Sequence, residues 1–210
     1  MNNWNKIPVT KQQIEPLCKN FDLDKKLSDS NISQILASIL VRRNITEGNE
    51  LLYFLENDLR FQHSPFLLHN MEDAVDRILN AQEEKEKILI FGDSDVDGIT
   101  STAILFNQLK KMNFDVEWKL PQKDDEYGLN KKAIDDFYSN DGSLIITVDC
   151  GISNFESIQY ANYLGIDVIV TDHHNPQENL PDAVAVVNPK IENANYPFYD
   201  ISGAAVAYKL

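Results

Sequence analysis

The chain has 210 residues, 43% of them hydrophobic and 25% charged, with nineteen Lys and Arg against thirty-three Asp and Glu for a formal charge of −14. That much apolar material excludes a disordered tail and suits one or two globular domains. The apolar runs are too short for a bilayer span or a secretory leader, and two distant cysteines, Cys18 and Cys150, are too few for a disulfide scaffold. The expectation is a reducing, cytoplasmic setting without a membrane.

The first 80 residues read as helical. Ile32, Ile35, Leu36, Ile39 and Leu40 recur at helix spacing behind Ser30 or Asn31 as a cap. Further amphipathic stretches run over 46–55 and 71–85, with a turn at residues 62–65 between them. From residue 87 the pattern changes. Short apolar runs at 88–91, 116–120, 144–148, 168–170 and 184–187 alternate with helical patterns at 99–112, 130–139 and 153–164. This alternation predicts an α/β fold, a mainly parallel sheet flanked by helices and preceded by a helical N-terminal segment. Strands apolar on both faces fit a sheet covered on both sides. The expected division is 1–80 and 81–210.

Charge is spread unevenly over these two parts. Residues 1–80 carry a net −2, whereas 81–210 hold ten Lys, no Arg and 22 acids, a net −12. Such a segment is ill suited to ordinary phosphate-backbone binding and well suited to divalent cations.

Three predicted strands run into acidic residues. The first leads into Gly92-Asp93-Ser94-Asp95-Val96-Asp97-Gly98, the third into Asp149-Cys150-Gly151, and the fourth into Thr171-Asp172-His173-His174. Ligands bind outside the carboxyl ends of strands in an open parallel sheet, so the three segments should converge. Carboxylates in such numbers do not all stay ionised side by side without cations. Asp and His ligands without a thiolate cluster favour Mn²⁺ or Mg²⁺ over structural zinc, and Cys150 is read as packing. An EF-hand loop would need Glu at its twelfth position, where Ile104 stands, and a preceding helix. A phosphoryl-aspartate site would explain one acidic strand end and leave Asp172, His173 and His174 without a task.

Residues 93–98, Asp149 and Asp172-His173-His174, in this order, resemble the successive motifs of the DHH phosphoesterase superfamily. Within it they are most similar to the RecJ family of bacterial single-strand-specific 5′→3′ exonucleases. Phe54-Leu55, the stretch from Phe66 to Asp76, 92–102, Pro121 to Leu129 with Tyr127-Gly128, Val187-Asn188-Pro189, Tyr196-Pro197-Phe198 and 202–210 extend the likeness. Three positions depart from the family pattern: Ser94 stands for a usual Tyr, Lys123 for an Arg in a segment one residue shorter, and Ala205 for a second Gly. Lys lacks the bidentate fork of Arg, so the grip on phosphate should differ.

The resemblance implies a hydrolase that degrades single-stranded DNA to 5′-mononucleotides in repair and recombination, by two-metal phosphodiester hydrolysis with Mn²⁺ or Mg²⁺. Asp93, Asp95, Asp97, Asp149 and His173 are then the metal ligands, with Asp149 bridging, and Asp149, His173 and His174 the catalytic set. Asp172 is expected to orient His173 by accepting its second ring proton. His174, Lys123 and Tyr127 are expected to contact the substrate. Single-stranded DNA is the implied partner, with a helicase and a single-strand-binding protein beside it. The apolar pattern at 204–210 has no stop signal, so the sequence reads as the front part of a longer protein. The alternatives are a DHH phosphodiesterase for short oligonucleotides or cyclic dinucleotides, and a non-catalytic nucleic-acid scaffold.

Overall fold

A computed structural model describes residues 7–20, 30–55, 58–122, 125, 128–192, 194 and 196–210. It divides into two compact units, Met1–Gln62 and His63–Leu210. The first unit contains α1 (Lys11–Asn20), α2 (Ser30–Arg42) and α3 (Gly48–Leu55). Helix α1 starts behind Thr10, whose backbone N–H and hydroxyl both donate to the Gln13 side-chain oxygen, at 2.9 and 3.1 Å. Leu17, Ala37, Leu40 and Leu51 form the core of this unit, with Ile14, Leu36, Val41, Ile45 and Leu55 around it. Ile32, Ile35 and Ile39, which share the helical spacing of Leu36 and Leu40, are exposed instead.

The second unit is a three-layer α/β/α sandwich. In chain order it has α4 (Met71–Glu83), β1 (Lys87–Gly92), α5 (Val96–Lys111), β2 (Asp115–Lys119) and α6 (Lys131–Tyr138). There follow β3 (Gly142–Val148), α7 (Phe155–Tyr163), β4 (Asp167–Thr171), β5 (Ala185–Val187) and α8 (Gly203–Lys209). All five strands pair in parallel in the order β2-β1-β3-β4-β5. The predicted α/β class and all five predicted strands are present. Successive strand residues point to opposite faces, and both faces are buried. Ile88, Ile90, Leu144, Ile146, Val148 and Ile169 pack with α4, α5 and α8. Leu89, Phe91, Ile145, Val168 and Val170 pack with α6 and α7.

The compact unit that holds the sheet begins at His63. The reason is packing. Met71, Ala74, Ile78 and Ala81 of α4 are buried in the same core as β1, β3 and β5. Helix α5 begins earlier than the apolar periodicity suggests. Asp95 caps it by accepting from Gly98 N at 3.0 Å, which draws the acidic motif into the helix start.

The strand order reverses between β1 and β3. From β1 the chain passes through α5 on one face to β2, and from β3 it passes through α7 on the other face to β4. The connections diverge and leave a crevice at the carboxyl ends of β1 and β3, the position where doubly wound sheets of this order bind ligands.

Candidate metal centre

The acidic strand ends meet at this crevice. Asp93, Asp95 and Asp97 follow β1, Asp149 follows β3, and Asp172, His173 and His174 follow β4. Asp93, Asp95 and Asp149 offer ligand atoms that all lie within 4.8 Å of one another, and so do Asp149, His173 and His174. Asp149 belongs to both groups.

Glycine makes the β1 end tight. A Cβ at Gly98 would stand 2.6 Å from both the backbone N and C of Asp93, so only glycine lets α5 start against that main chain. Asp93 folds back onto its neighbour, accepting from Ser94 N at 2.6 Å. Both Asp97 oxygens face α8: Oδ2 accepts from Gly203 N at 2.8 Å and Oδ1 from Ala204 N at 2.7 Å. These are two of the N–H groups that a helix start leaves without an intrahelical partner. Ser202 takes a third, from Ala205 N at 3.2 Å.

At the β3 end Asp149 continues the ladder for one residue, donating its N–H to Thr171 O at 3.0 Å, and then turns into the left-handed region at φ 59°. Its side chain is 1% exposed, and neither carboxylate oxygen has a hydrogen-bond partner among the described residues. Burial, reinforced by the charges of Asp97 and Asp95, pushes its pKa from 3.8 up to about 7.

At the β4 end Asp172 is equally buried and fully engaged. Its Oδ1 accepts from His173 N at 2.7 Å, His174 N at 3.0 Å and His174 Nδ1 at 2.8 Å, and its Oδ2 accepts from Ile152 N at 3.0 Å. The expected bond from the His173 ring to Asp172 is absent. His173 Nδ1 lies 3.0 Å from the carbonyl oxygen of Ile201, because α8 and its lead-in pass behind this ring. Asp172 therefore orients the ring of His174.

This arrangement fixes both imidazole tautomers. A carbonyl and a carboxylate only accept, so Nδ1 carries the proton in both rings. In neutral His173 the lone pair is then on Nε2, which lies 3.1 Å from Asp149 Oδ1 and 3.6 Å from Asp97 Oδ2. A lone pair facing two carboxylates is repulsive unless a cation, or a proton kept on Asp149, stands among them. Unpartnered buried carboxylate oxygens are costly for the same reason. The donor set of oxygens and imidazole nitrogens fits a hard or borderline divalent ion. Cys150 contributes no thiolate: burial raises its pKa well above the ordinary thiol value, and its Sγ lies 3.7 Å from Phe91 O.

Over residues 87–210 the sequence matches the DHH family, N-terminal domain. The chain belongs to the DHH family. It is 39% identical over 191 residues to the single-stranded-DNA-specific exonuclease RecJ of Bacillus subtilis, covering 90% of this chain and 24% of that protein. Its identity to RecJ of Escherichia coli is 33% over 202 residues, or 95% of this chain and 34% of that protein. A crystal structure of exonuclease RecJ bound to manganese superposes with a TM-score of 0.63 at 31% identity, covering 70% of this chain and 37% of that one. The DHH chain thus spans about a quarter to a third of the length of these curated relatives.

Of the sequence-predicted residues, the DHH crevice brings together Asp93, Asp95, Asp97, Asp149, Asp172, His173 and His174. Lys123 and Tyr127 lie outside the described residues. Where the chain resumes, Gly128 adopts φ 76° and Leu129 N donates to the Asn154 side chain at 3.2 Å, tying this loop to the one after β3. Three participants have no assigned role in the sequence reading. They are the Ile201 carbonyl, Gly203 and the buried Asn188, whose Nδ2 donates to His174 O at 2.9 Å. Val187-Asn188-Pro189 is part of the family likeness, yet only the fold shows which atom Asn188 holds. No helix among the described residues is long and apolar enough to cross a membrane.

Proposed function

We propose that this chain is the DHH part of a metal-dependent 5′→3′ exonuclease that hydrolyses single-stranded DNA to 5′-mononucleotides. The observation that carries the reading is the buried Asp149 carboxylate, shared by two ligand groups and without a hydrogen-bond partner among the described residues. Asp93, Asp95 and Asp149 would hold one divalent cation, and Asp149 with His173 a second. Mn²⁺ and Mg²⁺ suit these donors, and the similarity to a manganese-bound RecJ supports that choice. A pair of such cations supplies Lewis-acid charge for phosphodiester hydrolysis at neutral pH.

The protein's own groups do the positioning. Ile201 O holds His173 in the tautomer that presents Nε2 to the carboxylates. Asp97 anchors the α8 start beside the site while remaining 3.6 Å from His173. His174, 47% exposed and locked through Nδ1 to Asp172, keeps its other ring nitrogen for the scissile phosphate. Lys123 and Tyr127 would grip the strand by charge and stacking. A helicase and a single-strand-binding protein, acting in the cytoplasm, would supply single strands.

The test is degradation of 5′-labelled single- and double-stranded DNA by the full-length protein carrying this sequence, with Mn²⁺ and with EDTA. Metal-dependent release of 5′-mononucleotides from single strands is expected. Activity confined to dinucleotides or cyclic dinucleotides would overturn the exonuclease reading while keeping the metal chemistry.

A further inference from the structure

Residues 201–204 touch three of the clustered side chains at once. The Ile201 carbonyl receives His173 Nδ1–H, and the N–H groups of Gly203 and Ala204 hold the two Asp97 oxygens. Gly203 also lies flat against Asp149. A Cβ at Gly203 would stand 2.6 Å from Asp149 Cγ and 2.7 Å from Asp149 Cβ, and closer still to Oδ1.

The backbone does not require glycine here. Gly203 is absent from the residues with positive φ, and it is the first residue of α8, where alanine is the better helix former. The steric reason remains. Contact with the far end of a side chain could be relieved by rotation about χ1, but contact with Asp149 Cβ could not. A side chain at position 203 would have to move the whole residue, which is 1% exposed, held at φ 59° and tied to Thr171 O. Asp149 is the one residue common to both ligand groups, so displacing it disturbs both.

We propose that Gly203 is a positioning residue of the metal centre: its missing side chain seats the Asp149 carboxylate against the start of α8 and so sets the affinity for a divalent cation. This rests on the metal-binding reading above. Coordination tolerates errors of only about 0.2 Å in ligand position, which makes metal affinity a more sensitive readout of such a displacement than folding.

The test is Mn²⁺ titration of the full-length protein carrying this sequence, with free Mn²⁺ followed by electron paramagnetic resonance, for the wild type, Gly203→Ala and Ala205→Gly. Ala205→Gly weakens α8 without adding an atom at Asp149. Gly203→Ala should lose about 10- to 100-fold in Mn²⁺ affinity, the range typical of lost outer-shell support, while Ala205→Gly stays within twofold of wild type. Gly203→Ala binding as tightly as wild type would overturn the proposal. A wild-type chain that binds no Mn²⁺ overturns the metal reading as well, and the wild-type titration alone identifies that case.

Urea unfolding without metal gives an independent arm. Gly203→Ala should lower the unfolding midpoint, or abolish folding, with Asp149 present, and do so markedly less in the Asp149→Gly background, which removes the Cβ as well as the carboxylate. An equal loss in both backgrounds would show that the two residues are not coupled and overturn the contact on which the proposal stands.

Discussion

The ends of β3 and β4 each bury one carboxylate to the same degree, and the two are opposites. Asp172, 1% exposed, accepts four hydrogen bonds from Ile152, His173 and His174. Asp149, also 1% exposed, accepts none among the described residues and faces the Nε2 of His173. Burial alone therefore does not distinguish a structural carboxylate from a ligand. What differs is whether the surrounding N–H groups consume the lone pairs. Asp172 is a bracket holding three residues, whereas the lone pairs of Asp149 are left open, as its proposed role as a ligand requires.

Exchanging the two carboxylates for neutral groups should give opposite phenotypes. Asp149→Asn should abolish metal-dependent cleavage in the full-length protein while leaving the metal-free chain at least as stable as wild type near pH 8, since a buried unpaired charge is removed. Asp172→Ala leaves its N–H donors without their acceptor and should cost about 3 kcal/mol of folding stability. DNA cleavage assays and urea unfolding of both variants check this. An active Asp149→Asn, or an Asp172→Ala as stable as wild type, would break the comparison.

The pH dependence sharpens it. With its folded pKa raised from 3.8 to about 7, metal-free Asp149 keeps in the folded state a proton that it has lost in the unfolded chain between those values. Stability from this group is therefore full below about pH 4, falls as pH rises toward 7, and levels off above. Burial drives the shift; the charges of Asp97, Asp95 and Asp172 add to it and His174 opposes it. Unfolding midpoints between pH 4 and 8 should decline for wild type and much less for Asp149→Asn.

Metal should act in the opposite direction. Mn²⁺ at about 100 times its dissociation constant should add about 2.7 kcal/mol to the wild-type chain at pH 8. It should add little to Asp149→Asn. The same unfolding curves recorded with Mn²⁺ and with EDTA test this. Equal stabilisation of both forms would remove Asp149 from the ligand set.

Much of this was legible in the residues. Strands apolar on both faces announced a doubly covered parallel sheet, and three strands ending in Asp announced a converging site, because strand ends in such sheets share one edge. The partners of individual atoms were not legible. Asp172 adjoins both His173 and His174 in sequence, and only the path of residues 201–204 behind His173 decides that Ile201 takes that ring and Asp172 the other. Gly203 and Asn188 were hidden for a similar reason. A steric gap and a main-chain acceptor are long-range facts with no local spacing to betray them. The start of α5 was shifted because Asp95 serves as a helix cap within the acidic motif.

Asn188 gives the finest division between holding and ligating. It is fully buried, accepts from Lys190 N at 2.8 Å and donates to the main-chain carbonyl of His174 at 2.9 Å. His174 is therefore held from two sides, its ring by Asp172 and its carbonyl by Asn188, while no bond runs from Asn188 to Asp149 or His173. Asn188→Ala should leave Mn²⁺ affinity near wild type and lower kcat about tenfold with KM little changed, the lower end of effects typical of supporting residues around a metal site. Asn188→Ser, which keeps a short polar group, should recover part of the loss. Cleavage kinetics beside a Mn²⁺ titration separate the outcomes. If affinity falls together with kcat, Asn188 supports the whole cluster, and the line between the β3 and β4 ends is less sharp than their hydrogen bonds imply.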